Sequence, residues 1–206
     1  MFNYVCDKKE LADLKRACET IIKSVQQSWL KEYFTFQFNL IGSGSNNLIT
    51  QNGENGEFDL DYNFILQKDK QGLVNNPKRI KELFIKAFNE ANPELGFKPA
   101  ENSTSVITSK LVYEKRLYFS FDVAIMCEGN NGNYLKIVHN KVTEQYYWSE
   151  VRHSRNYQTK IKAIKDAGKW NDLRERYLEL KNHHLSKQDD IASFSILIQA
   201  INEICD

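Results

Sequence analysis

Phe58-Asp59-Leu60-Asp61-Tyr62-Asn63-Phe64-Ile65-Leu66 (FDLDYNFIL, residues 58–66) decides how the rest of the chain is read. Side chains alternate between the two faces of a strand, so Phe58, Leu60 and Tyr62 point one way and Asp59 and Asp61 the other. Two carboxylates side by side repel and raise each other's pKa. Nothing is gained structurally by this placement unless a cation lies between them. Magnesium takes hard oxygen ligands, usually one or two carboxylates together with phosphate oxygens. A solvent-facing strand end with two acids is the competing reading, and an Asp-x-Asp pair by itself does not choose between them.

The flanking segments add to the pair. Upstream, Tyr33 to Ile41 alternates aromatic and polar residues, as a strand with one buried face does, and runs into Gly42-Ser43-Gly44-Ser45-Asn46-Asn47. Glycines let backbone approach a phosphate closely, and backbone N–H groups and serine hydroxyls donate to its oxygens. The alternative is a flexible glycine-serine linker that continues through Asn52-Gly53-Glu54-Asn55-Gly56, with one short helical turn at Asn47 to Thr50. Downstream, Tyr118 to Met126 is strongly apolar with Asp122 in its middle. A charge in an apolar strand is costly unless paired or metal-bound. It is either an edge acid paired with a lysine or, if its strand lies beside FDLDYN, the third member of an acidic cluster.

The remaining pattern predicts helices at 7–31, 77–91, 159–166, 170–181 and 189–204. Asp7 caps the first, with Glu10 three residues later. Pro77 suits the first position of the second, and Gly168 is the expected break before Trp170. Strands are expected at 104–114 and 116–126, joined too tightly for a crossover and therefore antiparallel, with another at 135–138. From Glu144 onward the character turns helical. The expected architecture is α+β: a mixed sheet flanked by helices over residues 1–143, then a C-terminal helical module over 144–206.

Composition narrows the class. The 206 residues are enough for one large or two small domains, and the formal net charge of +1 excludes a chain that is a polyanion binder as a whole. Cys6, Cys18, Cys127 and Cys205 are scattered without metal-ligand spacing, as free thiols of a reducing compartment are. Neither a signal peptide nor an apolar run of roughly 20 residues occurs, so the expectation is a cytoplasmic protein without a membrane partner. The segment 151–181 is locally basic: Arg152, Arg155, Lys160, Lys162, Lys165, Lys169, Arg174, Arg176 and Lys181 stand against four acids. Tyr146-Tyr147-Trp148 offers rings on which a base can stack.

With Gly42-Ser43 after one strand, Asp59 and Asp61 on the next and Asp122 on a later one, the sequence resembles the nucleotidyltransferase superfamily of DNA polymerase beta, the CCA-adding enzymes and the poly(A) polymerases. The likeness covers residues 33 to about 126, and the stretch between Ser43 and Asp59 is longer than in most members. The resemblance implies transfer of a nucleoside monophosphate from an NTP, with ATP the expected nucleotide, and release of pyrophosphate. It implies two Mg²⁺ or Mn²⁺ ions on Asp59, Asp61 and Asp122, with Asp122 serving the acceptor. Gly42, Ser43 and Ser45 would hold phosphates, and Tyr147 and Lys160 would reach the nucleotide. The acceptor stays open among small molecules, proteins and RNA ends, cyclic oligonucleotide synthesis also being a use of this fold. Two other classes compete: a metal-dependent hydrolase, and a non-catalytic nucleotide-binding component of a toxin–antitoxin or defence pair with a partner protein.

Overall fold

A computed structural model describes residues 1–53, 56–151, 157–189 and 191–205. In chain order the elements are β1 (Phe2–Tyr4), α1 (Lys8–Gln27), β2 (Phe34–Ile41), α2 (Gly42–Ser45), β3 (Thr50–Asn52), β4 (Phe58–Asp69), α3 (Pro77–Ala91), β5 (Glu101–Asn102), β6 (Ile107–Tyr113), β7 (Arg116–Glu128), β8 (Tyr134–Asn140), β9 (Gln145–Glu150), α4 (Tyr157–Asp166), α5 (Trp170–Lys187) and α6 (Ser193–Cys205). The described residues form two compact units. One comprises 6–49 and 57–151; the other comprises 1–5, 50–56 and 152–206.

The larger unit is a mixed sheet in the order β2-β4-β7-β6-β5, with β8 also pairing with β7 and β9 with β8. β4 and β7 run parallel, and every other pairing in this sheet is antiparallel. α1 and α3 supply the helical layer on one face. Asp7 accepts from the amides of Lys9 and Glu10 and so caps α1 as its sequence predicts. α1 then buries Leu14, Cys18, Ile21, Ile22 and Val25 along one stripe. Beneath α3 the even-numbered residues of β2 and β4 meet a set of aromatic rings. Phe36 stacks on Phe64 at 4.5 Å, Phe64 on Phe88 at 5.9 Å, and Phe34 on Phe84 at 5.7 Å. Burying each such side chain contributes roughly 1.5–3 kcal/mol, which anchors the central strands.

The smaller unit joins the β1–β3 ribbon to α4, α5 and α6. Its core holds Ile161, Ile164, Leu173, Tyr177, Leu180, Ile196, Leu197, Ala200 and Ile201. The ribbon is tied to α5 by Tyr4, whose hydroxyl donates to the Arg174 carbonyl at 2.7 Å, and by Lys181, which donates to Thr50 Oγ1 at 2.7 Å. No helix among the described residues is long and apolar enough to cross a membrane.

Three expectations need correction. Residues 145–150 are strand β9, not the start of a helical segment, so the expected junction at 143 falls inside the sheet between β8 and β9. Tyr146 and Trp148 alternate with Gln145, Tyr147 and Ser149, which is strand periodicity. The N-terminal residues 1–5 and the segment 50–56 group with the helices rather than with the sheet. The helical turn after β2 is at Gly42–Ser45, not at 47–50. Gly168 does separate α4 from α5, in a left-handed conformation at φ +72°.

Candidate active site

The parallel register of β4 and β7 sets Asp61 directly beside Asp122 and Asp59 beside Ser120. Phe58, Leu60 and Tyr62 are buried under the helices, at 6%, 0% and 1% exposure. Alternation therefore sends Asp59 and Asp61 to the opposite face, where Asp122 joins them from β7. One carboxylate oxygen from each of the three lies within 4.8 Å of the others.

Such a cluster is electrostatically costly by itself. Burial pushes the Asp61 carboxyl up to about 7, and the neighbouring charges of Asp59 and Asp122 push the same way. Asp122 is also raised, chiefly by burial and then by Asp59 and Glu101, against a hydrogen bond from Thr108 and the charge of Lys110. Three hard oxygen donors at this spacing fit the donor set of Mg²⁺ or Mn²⁺. A divalent cation would invert the local electrostatics and favour all three carboxylates in their ionised form.

The turn that follows β2 is built against this cluster. Ile41 pairs with Asp61 across β2 and β4. Gly42 comes next, with φ +61°, and a Cβ there would stand 3.0 Å from Asp61 Oδ2. Only glycine combines that left-handed backbone with so close an approach to a carboxylate. A Cβ on Gly44 would meet Leu40 Cδ1 and Leu60 Cδ2 at 2.9 Å, so this residue packs onto the sheet. Ser45 Oγ and Asn46 Nδ2 donate to the Gly42 carbonyl at 3.0 and 3.1 Å, and Lys15 Nζ donates to the Gly44 carbonyl at 3.2 Å. This is an ordered turn bonded to its own side chains, unlike a linker.

Asp59, Asp61, Asp122, Gly42 and the turn carrying Ser43 and Ser45 are thus held by adjacent strands of one unit. Tyr147 sits in β9, two strands away from β7. Its neighbours Tyr146 and Trp148 have structural partners: Tyr146 stacks on His139 at 4.1 Å, and Trp148 Nε1 donates to the Val74 carbonyl at 2.7 Å. Tyr147 points away from both and is 47% exposed. Lys160 belongs to the smaller unit, where its ammonium donates to Asn202 Oδ1 at 2.8 Å. Arg152 and Arg155 lie outside the described residues. The structure adds Thr108, whose hydroxyl donates to Asp122 Oδ1 at 2.6 Å. Nothing in the local sequence marks it, since the contact is created by the β6–β7 register.

The fold has counterparts among solved structures. The cyclic AMP-GMP synthase DncV of Vibrio cholerae, in complex with the linear intermediate 5′ pppA(3′,5′)pG, matches at a TM-score of 0.69, over 98% of this chain and 68% of that one. The chain has a nucleotidyltransferase fold. The GTP-bound form of DncV matches at 0.59, over 97% of this chain and 52% of the other, and the CD-NTase CdnG of Bradyrhizobium diazoefficiens in complex with GTP at 0.50, over 83% and 41%. Identities are 12%, 16% and 13% respectively, so what is shared is the fold. No protein-family model and no curated protein matches the sequence.

Proposed function

We propose that this protein is a metal-dependent nucleotidyltransferase that moves a nucleoside monophosphate from an NTP to an acceptor hydroxyl and releases pyrophosphate. The observation that carries this reading is the convergence of Asp59, Asp61 and Asp122 within 4.8 Å, on the sheet face where Gly42 abuts Asp61. Asp59 and Asp61 would hold both divalent ions, and Asp122 the one that serves the acceptor. When bound, the ions supply charge neutralisation of the triphosphate and activation of the attacking oxygen. The Gly42–Ser45 turn, with Ser43 and Ser45, orients the β- and γ-phosphates beside the acids. The acceptor oxygen forms a bond to the α-phosphorus while the bond from that phosphorus to the bridging oxygen breaks, its electron pair leaving with pyrophosphate. Asp122 takes the proton of the attacking hydroxyl. The protein's contribution is positioning and electrostatics, without a covalent intermediate.

For the acceptor we favour the hydroxyl of a second nucleotide. DncV, which shares the fold over nearly the whole of this chain, is a cyclic AMP-GMP synthase whose complex holds a linear dinucleotide intermediate. ATP remains the expected donor. The test is incubation with each α-labelled NTP, alone and in pairs, with Mg²⁺ or Mn²⁺, beside Asp59→Ala/Asp61→Ala. The reading expects a labelled, phosphatase-resistant product made by the wild type alone. Free labelled nucleoside monophosphate with no adduct would instead indicate a hydrolase. Nucleotide binding without turnover would indicate the non-catalytic component.

A further inference from the structure

We propose that Thr108 is a positioning residue that fixes one oxygen of Asp122, and that Ser103 in turn orients Thr108. The inference rests on the nucleotidyltransferase reading of the acidic cluster. Thr108 stands directly across from Asp122 in the antiparallel β6–β7 register, and its Oγ1 donates to Asp122 Oδ1 at 2.6 Å. A threonine hydroxyl carries one proton. With that proton committed to the carboxylate, the 3.0 Å contact between Ser103 Oγ and Thr108 Oγ1 is made by the serine's proton. The donor direction therefore runs from Ser103 through Thr108 to Asp122.

The chain of hydroxyls has a fixed base. Lys81, 1% exposed on α3, donates to the backbone carbonyl of Ser103 and more distantly, at 3.4 Å, to that of Thr104. The amide of His139 donates to the same Thr104 carbonyl at 2.7 Å. The segment between β5 and β6 is thereby pinned to α3 on one side and to β8 on the other.

The physical need for this device comes from the cluster itself. Mutual repulsion among Asp59, Asp61 and Asp122 favours rotation of each carboxylate away from the others. A short, charge-assisted O–H···O⁻ bond opposes that rotation at Asp122. It engages Oδ1, so Asp122 acts on cation and acceptor mainly through Oδ2. Hydrogen-bond partners of this kind are worth about 10–100-fold in metal affinity or activity where they orient a ligating group.

The experiment compares wild type with Thr108→Val, Thr108→Ser and Ser103→Ala. Mn²⁺ is titrated calorimetrically into protein holding a non-hydrolysable ATP analogue, and kcat and KM for NTP are measured separately. Thr108→Val is expected to weaken Mn²⁺ binding and lower kcat by about 10-fold or more, with KM for NTP nearly unchanged. Thr108→Ser, which keeps the hydroxyl, restores both, and Ser103→Ala falls between. A folded Thr108→Val protein with wild-type Mn²⁺ affinity and kcat overturns the inference, as does Thr108→Ser behaving like Thr108→Val. Should the valine variant fail to fold, an unchanged Ser103→Ala protein overturns the relay. A wild type that takes up neither Mn²⁺ nor nucleotide removes the proposed function and this inference with it, whereas an active wild type with indifferent variants removes the inference alone.

Discussion

The two faces of β4 and β7 are made from the same few residues and have opposite energetics. On one face Phe58, Leu60, Tyr62, Phe64, Phe119 and Phe121 are buried, and rings such as Phe88 on α3 close over them. On the other, at the intervening positions, Asp59, Asp61 and Asp122 crowd their charges within 4.8 Å. The first face stabilises the fold, and the second costs stability. A strand two residues per repeat wide can carry both because burial on one side fixes the register that aligns the charges on the other.

The largest effects should separate the faces. Asp59→Ala/Asp61→Ala is expected to reduce nucleotidyl transfer on the order of a thousandfold, while the metal-free protein melts no lower than wild type. Phe88→Ala should do the reverse. Its ring is fully buried against Phe64 and Phe121, and losing it costs about 3–5 kcal/mol, or about 10 °C in Tm, with activity retained by the molecules that stay folded. Thermal melts and transfer assays on both variants check the pair. If both properties fall together in both, the faces are not independent.

Gly42→Ala sharpens the contrast, because it touches the charged face through backbone alone. The added Cβ meets Asp61 Oδ2 at 3.0 Å in a left-handed conformation. Transfer should drop by about 10–100-fold, with a stability loss of about 1 kcal/mol. A variant with wild-type kcat/KM would show that this turn does not shape the site.

A smaller effect concerns pH. Burial, with the charges of Asp59 and Asp122, pushes the Asp61 carboxyl up to about 7 in the folded protein, against about 4 in an unfolded chain. The folded state thus holds this proton more tightly, and the group destabilises the metal-free fold progressively as pH rises from about 4 to 7. Asp61→Asn should raise the metal-free Tm by a few degrees at pH 8, with the gain shrinking below pH 7 and gone near pH 4. Mg²⁺ should stabilise wild type at pH 8 and the variant far less. The weakest change is expected at Tyr147→Ala, a few-fold rise in KM for NTP at unchanged kcat, read by steady-state kinetics.

Much of the site was legible because it depends on local rules. Strand alternation in FDLDYNFIL puts both acids on one face, and a glycine directly after a strand signals backbone doing what other residues cannot. Asp122 stood out as an acid inside an apolar run. What was not legible depends on register between distant segments. Thr108 is an ordinary strand threonine until β6 pairs with β7, and Phe2–Tyr4 becomes a strand only by pairing with Thr50–Asn52. β9 was hidden by its helical sequel, although Tyr146 and Trp148 alternate as a strand's residues do. The helical turn was expected at 47–50, but Gly42 at φ +61° and the side-chain bonds onto its carbonyl start it earlier.

The most direct test of metal binding at the triad is a crystal structure grown with Mn²⁺ and a non-hydrolysable ATP analogue, with manganese located by its anomalous scattering. Manganese is expected within coordination distance of oxygens of Asp59, Asp61 and Asp122, with the triphosphate against the Gly42–Ser45 turn. Nucleotide bound without manganese at these carboxylates, or Asp122 rotated away from Asp59 and Asp61, would contradict it.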